Sequence, residues 1–237
     1  MAESPIDGPA TRSDWFMPWP EFEVDWLRAG ALVIDFQNYS SHPDMGVLRM
    51  LRRQFPEVAE YYGPRVLDVA IPNAARLVAA FRDAGRDVVF TRHGALLSDG
   101  RDMIARRRRR DEDSVDSTDT PTLWSRGSRE HEIVELLTPL SDELVIDKNA
   151  SSPFNGTGID QLLRNLELET LVIVGMATDM CVETTARDAA DRGYNVIVAE
   201  DATATFFAAD HRAALSAVAR VYGQVWSTDD ILQQLTH

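Results

Sequence analysis

The sequence predicts an α/β protein: a doubly wound, three-layer αβα domain around a six-stranded, mainly parallel sheet. Three observations carry this. Short apolar runs recur along the chain with room for a helix between them. The intervening segments carry helical periodicity. The runs are continuously apolar rather than alternating, as burial on both faces of a sheet produces. Strand then helix, repeated, gives right-handed βαβ units with helices on both faces.

The elements follow in order. Residues 1–30 form an N-terminal arm holding Trp15, Trp19, Trp26, Phe16 and Phe22, interrupted by Pro18 and Pro20. So much aromatic surface is expected to cover the domain or a partner subunit. Residues 31–237 form one domain. Its first strand is Ala31–Asp35, ending in a carboxylate. A helix over Pro64–Ala84 buries Val66, Val69, Ala70, Ala74, Leu77, Val78 and Phe81, and Gly85 closes it. Asp87–Thr91 is the second strand. Residues 94–127 are polar and without period, and read as an insertion loop. Glu130–Leu137 reads as a short helix and Glu143–Asp147 as the third strand. A helix over Gly158–Leu166 precedes the fourth strand, Leu171–Val174. A helix over Asp179–Arg192 ends at Gly193 and precedes the fifth strand, Asn195–Val198. The helix His211–Val221, the short strand Gln224–Trp226 and a last turn at Ile231–Leu235 complete the chain.

Composition bounds the function. The chain has 237 residues, 44% hydrophobic and 26% charged, as a folded domain requires. Its net charge is −14, which disfavours nucleic acid and anionic membranes as partners. The run Arg106–Arg110 is nearly cancelled by Asp111, Glu112 and Asp113 and reads as a solvated segment or an oligomer contact. One cysteine excludes an internal disulfide and a multi-thiolate metal site. No run of about 18 apolar residues suggests a membrane helix. The first residues lack a basic segment followed by an apolar run, so no signal peptide and a cytoplasmic location are expected. A small-molecule substrate and a homo-oligomer are the expected partners.

In an open parallel sheet, ligands bind beyond the carboxyl ends of the strands at the switch point. Thr178 is a suitable N-cap, which places Cys181 in the first turn of a helix, where free N–H groups favour a thiolate. Asp35 ends a buried strand and needs a partner or a use. Lys148 stands just after the third strand. Together they form a plausible set in which Asp35 takes the thiol proton and Lys148 pairs with the carboxylate and stabilises the thiolate. The bland alternative is a structural Asp–Lys pair beside a bystander thiol. Gln37 and Asn38 could bind an amide or urea, or merely cap their loop. Phe154 could wall the pocket or fill the core. Gly156 and Gly158 follow no strand directly and do not read as a phosphate loop.

The stretches ALVIDFQN, IDKNASSPFNGTGIDQLL and VIVGMATDMCVETTARDAADRGYNVIVAEDATAT resemble the isochorismatase-like cysteine hydrolases. The resemblance runs from the first strand onward, without the arm or the 94–127 segment. It implies the doubly wound αβα fold and a triad of Asp35, Lys148 and Cys181. It also implies an acyl intermediate on the cysteine, and a cis Met176–Ala177 bond with the N–H groups of Ala177 and Cys181 forming an oxyanion hole. The Cys sets the chain apart from vinyl-ether-cleaving members. The single His93 after the second strand does not match the metal site of nicotinamidases, so no metal and no other cofactor is expected. The function expected is hydrolysis of a small ureido, carbamoyl or carboxamide substrate. A nicotinamidase-like aromatic amidase and a silent binding subunit are the alternatives. Strand order stays open; in the order 3-2-1-4-5-6 the third strand is not beside the first, and Lys148 must reach across.

Overall fold

Six parallel strands form one sheet in the order β3-β2-β1-β4-β5-β6: β1 Ala29–Ile34, β2 Val88–His93, β3 Leu144–Lys148, β4 Thr170–Met176, β5 Asn195–Ala204 and β6 Gln224–Trp226. The computed structural model describes residues 17–118, 121 and 123–235. The helices are α1 Asn38–Ser41, α2 Gly46–Gln54, α3 Pro56–Pro64, α4 Ile71–Asp83, α5 Ala105–Thr118, α6 Ile159–Asn165, α7 Glu183–Asp191, α8 Ala208–Ala217 and α9 Thr228–Leu235. Alternate residues of β1 face opposite layers. Ala31 and Val33 join the core built with α2–α4 and α9, while Leu32 and Ile34 join the core built with α6–α8. The chain winds outward in both directions from the adjacent pair β1 and β4. Their carboxyl ends are therefore the switch point.

Several elements differ from the sequence expectation. The first long helix starts at Pro56 rather than Pro64. A π-type segment at Arg65–Ala70 joins α3 to α4 between Pro64 and Pro72. Wider turns there accommodate the N–H groups that proline lacks. The insertion is not a loop throughout, because it contains α5. Arginine is a good helix former, and a helix whose apolar residues are only Ala105 and Val115 leaves no apolar period to read. Glu130–Leu137 is not one helix but two 3₁₀ turns, Arg129–His131 and Glu135–Leu137. The chain between them is extended: Ile133 bridges Gln37, and the Val134 N–H donates to the Phe36 carbonyl. Pairing with the chain after β1 outweighs local helix preference.

Of the arm, Trp15 and Phe16 lie outside the described residues. Phe22, Val24 and Trp26 pack against the domain's own core. Trp26 sits edge-on to Phe81 at 6.5 Å and tilted on Trp226 at 6.4 Å. The Gln224 amide donates to the Phe22 carbonyl. Among the described residues, no helix is long and apolar enough to cross a membrane.

Candidate active site

Glycine at 175 brings the two switch-point strands together. Its φ is +136°, and a Cβ there would stand 2.1 Å from the Ile34 carbonyl oxygen. β4 can thus press against the end of β1, and its partner register on β5 shifts there from Ile173 to Gly175. Asp35 follows at once on β1 with φ +51°, a left-handed conformation that Asp tolerates better than most residues. The turn redirects the chain, and the carboxylate is left buried under the strand ends.

That carboxylate is held from two other strands. The Thr91 hydroxyl of β2 donates to Asp35 Oδ1 at 2.6 Å, and Lys148 Nζ at the end of β3 donates to Oδ2 at 2.7 Å. Lys148 reaches across β2, since the strand order separates β3 from β1. Its ammonium also donates to the carbonyls of Ala150 (3.2 Å) and Ser151 (2.8 Å). The side chains of Lys148 and Asp35 are 0% and 2% exposed. Burial alone would lower the lysine's pKa, but Asp35 and Cys181 outweigh it and hold the ammonium above its ordinary range.

Cys181 completes the group from β4's side. It is half-buried, and its thiol interacts with both Asp35 and Lys148. The thiol is not acidified as a helix start would suggest. Burial, with Asp35 adding to it, pushes the pKa up to about 12, and Lys148 recovers only part. A helix terminus supplies at most about 2 kcal/mol, and desolvation beside a carboxylate exceeds that. The turn itself also departs from expectation. Residues Thr178–Val182 form a π-type turn, and the N-cap position belongs to Ala177. Thr178 caps nothing with its side chain; its Oγ1 is 2.9 Å from His211 Nδ1. The Ala177 carbonyl accepts from the N–H groups of Met180 and Val182. The Met176–Ala177 peptide is cis. Thr205 Oγ1 donates to Asp179, and Ser41 Oγ to Met176 Sδ at 3.0 Å. The turn and the strand end before it are thereby tied to the residue after β5 and to α1.

The other sequence candidates lie elsewhere or serve the scaffold. Gln37 is buried, and its amide is spent on backbone. Nε2 donates to the carbonyls of His131 (2.8 Å) and His93 (3.2 Å), and Oε1 accepts from the His93 N–H at 2.7 Å. Asn38 Nδ2 donates to the Arg129 carbonyl at 2.9 Å. Both therefore clamp the chain after β1 to the 129–131 turn, which corrects their assignment to substrate. Phe154 is corrected too. It lies in the core with α6 and α7, 6.1 Å from the Tyr194 ring, with the Arg192 guanidinium 4.8 Å away. Tyr194 immediately precedes β5, at the end of the strand opposite the site. The insertion, in contrast, does reach the site. Trp124 stacks on Tyr39 at 4.6 Å. The Tyr39 phenol is held well above its ordinary pKa by burial, then by Asp35 and Cys181. Asp102 accepts from the Leu96 N–H, and Asn149 beside Lys148 donates to the Asp102 carbonyl at 3.2 Å. His93 is kept neutral: burial, then Lys148, pushes it down to about 3. Among the described residues, no cluster of three His, Cys, Asp or Glu side chains could hold a metal ion.

Sequence reasoning missed Thr91, Tyr39, Trp124 and His211. Thr91 ends an apolar strand and could have been read with Arg92 and His93. His211 sits in a helix far along the chain and left no local signal.

The Isochorismatase domain family matches residues 30–230. The uncharacterized isochorismatase family protein YwoC of Bacillus subtilis is 31% identical over 168 residues, covering 70% of this chain and 82% of that protein. The ureidoacrylate amidohydrolase RutB of Methylobacterium radiotolerans is 34% identical over 172 residues, covering 67% of this chain; the chain spans 64% of that protein. The crystal structure of a cysteine hydrolase from Pseudomonas syringae pv. phaseolicola superposes with a TM-score of 0.75 at 27% identity, covering 94% of this chain and 99% of that one. With a match over nearly the whole described domain and the same α/β architecture, the chain belongs to the isochorismatase family.

Proposed function

We propose that the chain is a cysteine-dependent amidohydrolase that cleaves the C–N bond of a small ureido, carbamoyl or carboxamide substrate. The observation that carries this is the half-buried thiol of Cys181 interacting with the fully buried pair of Asp35 and Lys148. A purely structural ion pair gains nothing from a thiol beside it. Similarity to a ureidoacrylate amidohydrolase and to a cysteine hydrolase supports the same reading.

The high thiol pKa defines the first step. At neutral pH the sulfur carries its proton, so attack needs a base at hand. Asp35 accepts that proton as Sγ bonds to the substrate carbonyl carbon. The oxyanion is met by the N–H groups of Ala177 and Cys181. Collapse breaks the C–N bond, and the proton on Asp35 passes to the leaving nitrogen. Water then gives a proton to Asp35 and attacks the thioester, and the proton returns to sulfur as the acid leaves. Lys148 keeps a positive charge beside both acidic groups throughout.

The test is release of ammonia or amine from a panel of ureides, carbamoyl amines and carboxamides. The parent chain should turn over at least one class, form a mass adduct on Cys181, and lose turnover in Cys181→Ala with its circular dichroism unchanged. Equal turnover by Cys181→Ala would remove the cysteine from the chemistry.

A further inference from the structure

The nucleophile turn has a second support that the mechanism above does not use. Arg65, in the π-type segment after α3, donates from Nε to the Thr203 carbonyl at 3.0 Å and from Nη2 to the Glu200 carbonyl. The same Nη2 stands 3.0 Å from His211 Nε2. On the other edge of that imidazole, Nδ1 is 2.9 Å from Thr178 Oγ1. Thr178 and His211 are buried, so water does not replace these contacts.

The chemistry of the partners assigns the protons. A guanidinium can only donate, so the ring nitrogen facing it accepts. A proton on Nε2 would meet the Arg65 Nη2 N–H, and the Glu200 carbonyl that also lies near the ring already accepts from that Nη2. Nε2 therefore carries the lone pair and Nδ1 carries the proton, which it donates to Thr178 Oγ1. Burial, and then Arg65 and Arg212, push the imidazole down to about 3 against a smaller opposing pull from the Glu200 carbonyl, so it remains neutral at any ordinary pH. Arg65 thus fixes the tautomer, and the tautomer makes His211 a donor towards the turn.

We propose that His211 is a positioning residue for the acyl-transfer step: held by Arg65 as the Nδ1–H tautomer, it anchors Thr178 and so fixes the turn that presents Cys181. The position of Thr178 gives the anchor its leverage. It lies between Ala177, whose N–H is assigned above to the oxyanion hole, and Cys181 three residues on. Donors for an oxyanion are useful only within a few tenths of an ångström of their place, so a loose turn costs rate before it costs binding. The Asp179–Thr205 bond restrains the next residue from the chain just after β5, leaving Thr178 as the residue His211 controls.

The inference rests on the cysteine-hydrolase reading, and two measurements separate the fates of the two. The first is side-chain ¹⁵N NMR of His211 in the full chain between pH 5 and 8, which needs no substrate. The Nδ1–H tautomer throughout is expected. The Nε2–H tautomer, or a titration in that range, overturns the proposal whatever the chain hydrolyses. The second compares Thr178→Val, which keeps the shape and removes the hydroxyl, with Thr178→Ser, which restores it. Rates are normalised to alkylatable Cys181 so that unfolded protein does not count. For Thr178→Val, kcat should fall at least about tenfold with KM within about twofold, and Thr178→Ser should recover to within about threefold of the parent. His211→Phe should match Thr178→Val if it folds. A lower Tm with kcat unchanged in Thr178→Val would make the contact merely structural and overturn the proposal. Turnover that survives Cys181→Ala would instead defeat the functional reading, and the NMR result would still decide whether the anchor exists.

Discussion

Asp35 and Lys148 hold their charges almost out of reach of solvent, whereas Arg106, Arg109 and Arg110 on α5 stand exposed in it. Both regions border the same site, and both are rich in charge. At the strand ends the two charges are paired at 2.7 Å, and each is fixed by a further hydrogen bond: Asp35 accepts from the Thr91 hydroxyl and Lys148 donates to the Ser151 carbonyl. There the low dielectric magnifies every interaction, so losing one partner affects the whole group. At Arg106, Arg109 and Arg110, water screens the charges and each contributes little. Charge count therefore says nothing about importance here; the surrounding medium decides. Substitutions in the two regions should differ by orders of magnitude, and the following experiments test that contrast.

The largest effect falls on Asp35. Asparagine keeps the shape and can still accept from Thr91, but it cannot take the thiol proton. Since that thiol is pushed up to about 12, no solvent base replaces Asp35 at neutral pH. Turnover of Asp35→Asn should fall by about 10²–10⁴-fold. Activity within a few-fold of the parent would remove Asp35 from proton transfer and leave its ion pair merely structural.

Lys148→Met comes next and is read in two ways. It leaves the Asp35 carboxylate buried without its cation, which costs about 3–5 kcal/mol in comparable buried pairs. It also removes the one neighbour that draws the thiol pKa down. Urea denaturation should show the loss of stability, and iodoacetamide should label Cys181 more slowly at a given pH. An unchanged labelling rate would mean that Lys148 acts on Asp35 alone.

These expectations follow the boundary between what the sequence discloses and what it hides. The strands were legible because burial on both faces leaves continuous apolar runs, as in Leu32–Ile34 and Leu171–Val174. The grouping of Asp35, Lys148 and Cys181 was legible because a carboxylate, an ammonium and a thiol at strand ends have few structural excuses. β5 runs on to Ala204 beyond the apolar Val196–Val198. Its polar residues Glu200 and Asp201 are held by tertiary contacts: Arg65 on the Glu200 carbonyl and Thr228 on the Asp201 carboxylate. Gln37 was misread because its partners, His93 and His131, come from distant segments. Thr178 was misread because His211, 33 residues away, outcompetes its local capping role. Helix α5 was invisible because periodicity reads apolar residues and its first turns have almost none.

A pH experiment sharpens the contrast from the side of stability. His211 titrates near 3 when folded and near 6.5 when unfolded. Between those values the unfolded chain binds the extra proton. The contribution of His211 is thus fully present above about pH 6.5 and is lost as pH falls towards 3. His93 and His131, lowered in the same way, act in the same direction, while Glu200, pushed up to about 7 by burial, acts against them between about pH 4.5 and 7. Unfolding free energy should decline below pH 6.5 with a slope of up to about 1.4 kcal/mol per pH unit for His211. His211→Asn should flatten that part of the slope. Because the group is buried, the slope should change little between low and moderate salt. A slope that vanishes in salt would assign it to surface carboxylates instead.

The smallest effect belongs to α5, and its sign is informative. Residues 106–110 place five arginines in the first turns, with Asp111, Glu112 and Asp113 following. No acidic residue lies in its first turn and no basic residue in its last. This order opposes the helix macrodipole, which favours anions at the N-terminal end and cations at the C-terminal end. Arg106 and Arg110 are also spaced i, i+4, so like charges meet on one face. Arg106→Glu reverses both faults: it puts an anion at the first turn and pairs it with Arg110. The gain should be about 0.3–1 kcal/mol, read as slower amide hydrogen exchange within α5, with kcat unchanged. At high salt the gain should shrink, since these charges are exposed. Faster exchange in Arg106→Glu would mean that the arginine has a partner worth more than the dipole. It would also show that the contrast between a paired strand-end charge and a screened helical one fails at this position.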